Sequence, residues 1–144
     1  MSTLLPNWKG FIFHMRLTIV KLVITFLGMV PLISACAQPA SDPAATIESY
    51  VQAIIAQEQD ALVNLSCATW EEGARIDGNA FSGVTARLEG LGCEISGTEG
   101  DYTIVSCRGT IIATYQGEDR PIDLSARAYL ALQEGGVWRM CGYR

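Results

Sequence analysis

Five cysteines are the residues whose type and spacing most directly specify chemistry in this 144-residue chain. Cys67, Cys93, Cys107 and Cys141 form an even set, while Cys36 stands apart at the end of Ile33-Ser34-Ala35-Cys36. Four thiols in one small domain can make two disulfides, with three connectivities open to them. Zinc is the rival reading, but there is no C-x2-C pair, and the only histidine, His14, lies upstream of all five cysteines. No metal and no cofactor is expected.

Little other reactive chemistry remains. Beyond Lys21 the chain has neither lysine nor histidine, so it offers no Ser-His-Asp triad, no Cys-His pair and no Schiff-base lysine. Acid–base work would fall to carboxylates or tyrosines in perturbing surroundings. Glu71-Glu72 and Glu118-Asp119 are adjacent pairs. Neighbouring positions rarely converge, so they read as solvated surface charge. Asp123, Tyr115 and Tyr129 are candidates to face a pocket on the sheet. Asn64-Leu65-Ser66 has the form of a glycosylation sequon and reads as chance. No Gly-rich phosphate loop and no acidic loop of calcium spacing is present. No catalytic residue is assigned.

These residues must be positioned by helices followed by strands. Ile47, Tyr50, Val51, Ile54 and Ile55 follow the i, i+3, i+4, i+7, i+8 spacing of an amphipathic helix, with Ser41, Asp42 or Thr46 available as its cap. Leu62, Leu65 and Cys67 resume the stripe on a second short helix, and 70–81 reads as a third. After Val84 the period becomes two. Leu91, Cys93 and Ile95 form one apolar series and Val105 to Tyr115 a second, on the odd positions. Ile122 through Leu132, on the even positions, form a third, and Val137 begins a fourth strand. Turns are expected at 97–100, 116–119 and 134–136.

Opposing Cys93 to Cys107 sets Ile95 against Val105 and Leu91 against Gly109 on one face. Directly opposed antiparallel residues sit about 4.5–5.5 Å apart at Cα, within the disulfide range. The expected pairs are therefore Cys93–Cys107 and Cys67–Cys141. Pairing Tyr115 with Arg120 sets Ile111 against Leu124 and Val105 against Leu130. It also places Arg108 opposite Arg127 on the other face. Opposed like charges are unfavourable unless they splay into solvent or hold an anion, so Arg108 and Arg127 are the candidate contacts for an anionic ligand or an acidic partner. The Gly135-Gly136 turn leaves the last strand's register open.

Charge separates the chain into two parts. Residues 1–35 carry Lys9, Arg16 and Lys21 and no acid. The remaining 109 residues hold seven arginines and all fifteen acids, a balance of −8. That excludes the basic footprint of nucleic-acid binding, and 49% hydrophobic content excludes a disordered chain. A basic stretch at 15–21, a short apolar run at 22–33 and a small-residue exit have the form of a secretory signal, the run being too short to span a bilayer. Ile33-Ser34-Ala35-Cys36 resembles the lipobox of bacterial lipoproteins. The resemblance implies cleavage after Ala35, lipid on Cys36 and a mature domain anchored to the cell membrane or outer membrane, outside the cytoplasm. Met15 makes a conventional start for such a signal, so 1–14 reads as an over-extended start. Residues 36–45, with Pro39 and Pro43, then form a tether, and 46–144 a single domain.

Helices first and a long sheet after give an α+β domain, N-terminal helices packed on a curved four-stranded antiparallel sheet. This order, with Ser49-Tyr50-Val51-Gln52-Ala53 in the opening helix and Gly136-Val137-Trp138-Arg139-Met140 at the close, is similar to the nuclear transport factor 2-like cone fold, including SnoaL-like proteins. A cystatin-like sheet around a helix is the alternative. The resemblance implies a small-ligand-binding module, and the domain reads otherwise as a structural or interaction module that contacts a protein partner. The alternative activity is a small cyclase or isomerase of the same fold using a carboxylate, although its relatives use histidine or aspartate bases and this domain has no histidine.

Overall fold

The computed structural model describes residues 42–144. The expected signal segment, Cys36 and most of the expected tether lie outside the described residues. Helix α1 runs Pro43–Ala56, earlier than its apolar stripe alone suggests. Asp42 is the N-cap, its side chain accepting from the Ala45 amide at 3.0 Å. Pro43 occupies the first turn, where a missing N–H costs nothing. The last residues assigned to the tether are thus the first turn of the helix. Gln57 ends it in the left-handed region at φ 56°. Helix α2 spans Gln59–Leu65, a short 3-10 turn Ala68–Trp70, and helix α3 Glu71–Gly78.

Five antiparallel strands follow, one more than expected: β1 Thr85–Glu99, β2 Tyr102–Tyr115, β3 Glu118–Asp123, β4 Ala128–Glu134 and β5 Val137–Tyr143. The sheet order is β1-β2-β4-β5, with β3 also paired to β2. The expected third strand is broken by a 3-10 turn, Leu124–Ala126, capped by Asp123, whose Oδ1 accepts from the Ser125 amide at 2.8 Å. The register differs from the expected one on both sides of that turn, before it because the β2–β3 hairpin closes over Gln116-Gly117 alone. β3 pairs Tyr115 with Glu118 and Ile111 with Ile122, two residues from the expected alignment. β4 pairs Val105 with Tyr129 and Ile104 with Leu130, one residue from it. A one-residue shift exchanges faces. Tyr129 and Ala131 are therefore buried in the core in place of Leu130 and Leu132.

Cys93 does oppose Cys107, and Ile95 opposes Val105. Leu91 does not pair with Gly109. A bulge between Glu89 and Gly92 places two residues, Gly90 and Leu91, against it. Beyond the bulge the parity of β1 reverses, so Ala86 and Leu88 join Leu91 and Cys93 against the core. Gly109 is required there. At φ +115° a Cβ would stand 2.8 Å from the Glu89 carbonyl oxygen. The Gly135-Gly136 turn, with φ +60° and +83°, joins Glu134 to Val137 as opposed residues, in the manner of a two-residue hairpin with both φ positive. A bulge at Cys141 lets Met140 pair with Ala131 and Tyr143 with Tyr129, so Met140 and Tyr143 both reach the inner face.

Helix α1 lies across the sheet, and its Tyr50, Ile47 and Val51 pack with Val105, Met140 and Leu62 in the fully buried centre. Each such side chain contributes about 1.5–3 kcal/mol of transfer free energy. The structure joins Cys93 to Cys107 at a Cα separation of 4.1 Å and Cys67 to Cys141 at 5.3 Å. The second bond is prepared by the backbone. Ser66 bridges Met140, and the Cys67 amide donates to the Met140 carbonyl at 2.9 Å. The edge of β1 is partly covered too: Glu48 of α1 accepts from the Cys93 amide at 2.7 Å, giving an edge N–H a partner.

Candidate functional site

At one end of the domain α1, α3 and the sheet diverge around a cleft of about 220 Å³. Its floor is apolar: Val51 and Ile54 from α1, Phe81 after α3, Ile111 from β2 and Leu124 from the 3-10 turn. Its walls carry polar groups, Asp77 from α3, Asp123 from the end of β3, Arg127 after the 3-10 turn and the tyrosines 115, 129 and 143.

Asp77 organises this end. Its Oδ2 accepts from the Tyr50 hydroxyl at 2.7 Å and from the Tyr143 hydroxyl at 2.6 Å. The Tyr50 oxygen in turn accepts from the Trp70 indole N–H at 3.2 Å. One carboxylate thereby ties α3, α1, the preceding 3-10 turn and β5 together. The rings pack edge to face, Trp70 with Tyr143 at 5.5 Å and Tyr129 with Tyr143 at 5.3 Å. The Arg127 guanidinium lies over the Tyr143 ring, 4.6 Å from its centroid.

Burial holds the Tyr50 and Tyr143 hydroxyls well above the ordinary tyrosine range, and donation to Asp77 raises both further. Burial also raises Tyr129, opposed by the charge of Arg127. The Ser125 amide lowers Asp123 by donating to its carboxylate. Among the described residues no buried side-chain nitrogen or oxygen lacks a partner, and no group of three or more His, Cys, Asp or Glu could hold a metal ion.

Of the residues singled out from the sequence, Asp123, Tyr115 and Tyr129 line the cleft. Arg108 and Arg127 are not brought together, which corrects the expected opposition. Arg108 pairs with Gly92 across β1–β2, its guanidinium lying over that glycine, and Arg127 falls outside the β2–β4 ladder. The shifted β4 register removes their contact. Glu71 and Glu72 pair with Arg75, Asp119 with Arg87, and Glu118 with Arg120, all at exposed positions. Tyr50 was expected only as part of the apolar helix stripe, and Asp77 and Tyr143 carried no expectation, since 66 residues separate Asp77 from Tyr143. One signal was available: an acid in the last turn of a helix opposes the macrodipole, and such a residue calls for a specific partner.

No family model matches the chain, and no curated protein does. A solved structure that is similar to it is the solution structure of a SEC-C motif containing protein from Rhodopseudomonas palustris, at TM-score 0.51 and 14% identity, covering 73% of this chain and 79% of that one. At that identity the likeness concerns the fold alone. It corrects the resemblance to lipoproteins carrying a nuclear transport factor 2-like or SnoaL-like domain. The similar structure bears a different description, and the fold is mostly sheet, five strands of 6 to 15 residues against three helices of 14, 7 and 8 residues.

Proposed function

We propose that the domain is an exported, membrane-tethered module that binds a small molecule in the cleft beneath α1 and α3. The observation that carries this reading is the cleft itself: an apolar floor ringed by a few convergent polar groups, which is the usual make-up of a small-ligand site. The Asp77 carboxylate supports binding over proton transfer, because one of its oxygens is already committed to two tyrosine hydroxyls. Export is supported by the basic and apolar segment before Cys36 and by the two cysteine pairs, which suit an oxidising compartment. Lipid on Cys36 would hold the domain at the surface. Among the described residues no helix is long and apolar enough to cross a membrane.

The test is purification of the native protein from its own cells, followed by mass spectrometry of whatever co-purifies. A small molecule retained by the wild type and lost from Ile111→Trp, which fills the cleft floor, is the expected result. Equal retention by both proteins, or none by either, refutes the ligand reading. Labelling with a radioactive fatty acid, expected on the wild type and absent from Cys36→Ala, tests the tether separately.

A further inference from the structure

The cleft holds charges of both signs that do not neutralise one another. Arg127 has no carboxylate within 4.0 Å among the described residues, although Asp77 and Asp123 line the same cleft. Tyr143 keeps the opposite charges apart. Its ring face carries the guanidinium and its hydroxyl carries Asp77. Only Oδ2 of Asp77 receives the tyrosines, and among the described residues no buried side-chain oxygen lacks a partner, so Oδ1, which has no protein donor, keeps some exposure to solvent. Asp123 is exposed, its protein donors all belong to Ser125, and the Ser125 amide donates to Oδ1.

Resting on the small-ligand reading above, we propose that the occupant is a small zwitterion with an apolar body, of the class of free apolar amino acids. Its ammonium faces Asp77 and Asp123, its carboxylate faces Arg127, and its hydrocarbon part lies on Ile54, Phe81 and Ile111. A pure anion entering this space meets two carboxylates, and a pure cation meets the guanidinium. A ligand bearing both charges satisfies each group without leaving another opposed. The volume, about 220 Å³, suits a molecule of that size and excludes a long peptide.

The experiment titrates the full-length, disulfide-intact protein with L-leucine, 3-methylbutan-1-amine, 4-methylpentanoate and 3-methylbutan-1-ol. Affinity is read by calorimetry and location by the NMR methyl shifts of Ile54 and Ile111. Leucine is expected to shift both methyls and to bind at least tenfold tighter than each of the other three. Arg127→Gln should bring leucine down to the level of the amine. Asp77→Asn, and independently the exposed Asp123→Asn, should bring it toward the level of the carboxylate. If the amine, the acid or the alcohol binds in the cleft as tightly as leucine, the zwitterion assignment is overturned while the ligand cleft stands. If no probe shifts the two methyls, the assignment is overturned, and the co-purification test decides the ligand reading by itself.

Discussion

Replacing Asp77 with alanine tests whether one carboxylate ties the helices to β5. The substitution strands two hydroxyls. That of Tyr50 belongs to a residue with no exposed surface, and that of Tyr143 to one partly open at the cleft. Hydrogen bonds to charged groups contribute about 1.5–3 kcal/mol each, and Asp77 is only partly buried, so the lower bound applies to both and the expected loss is about 3 kcal/mol. Tyr143→Phe should cost about 1 kcal/mol, and Tyr50→Phe somewhat more, because it also leaves the Trp70 indole N–H without its acceptor. The decisive comparison is Asp77→Ala in a Tyr50→Phe, Tyr143→Phe background, where it should cost less than about 1 kcal/mol because its partners are already gone. Urea denaturation of the disulfide-intact protein, followed by near-ultraviolet circular dichroism, supplies the free energies. An equal cost of Asp77→Ala in both backgrounds, or a cost near zero in the wild type, would show that the carboxylate does not act through the two tyrosines.

Three further outcomes follow from the same geometry. Tyr50, Tyr129 and Tyr143 are all raised above the ordinary value near 10. Their stabilising effect is therefore complete below about pH 10 and is lost as pH rises further, because the unfolded tyrosines ionise first. A tyrosinate absorbance titration should show these three ionising together with loss of the near-ultraviolet signal, and independent ionisation in the folded protein would contradict it. Gly109→Ala should cost about 2 kcal/mol or more in a chemical melt, from a strained φ and a 2.8 Å backbone contact, whereas Gly117→Ala, with open space around it, should cost less because only its backbone strain remains. Chain-entropy estimates give about 3 kcal/mol for the Cys93–Cys107 link and about 4.5 kcal/mol for the longer Cys67–Cys141 link. The paired alanine replacements should rank in that order by thermal or urea unfolding, and the reverse order would show that native-state effects outweigh loop length.

Legibility differed sharply between elements. The stripe of Ile47, Tyr50, Val51 and Ile54 was readable because a helix buries one face at a fixed period, and the pairing of Cys93 with Cys107 was readable because a two-residue period ties face to register. The break at Leu124–Ala126 was not, since the even apolar positions run through it without interruption. Asp123 closes a local turn there through its own side chain, and the one-residue shift that follows brings Tyr129 into the core and separates Arg127 from Arg108.

By itself the sequence determined the basic leading segment and the acidic remainder of the chain, the helix-then-sheet order, the lack of histidine and lysine after Lys21, and the spacing that opposes Cys93 to Cys107. All of these depend on composition or local periodicity. Tertiary structure alone decided which residues form the site. Asp77, Tyr50 and Tyr143 come from three separate elements, and Arg127 from the residue that ends the 3-10 turn. Their meeting rests on a bulge at Cys141 and a turn at Leu124, displacements of single residues that leave the apolar pattern unchanged while exchanging the faces of two strands.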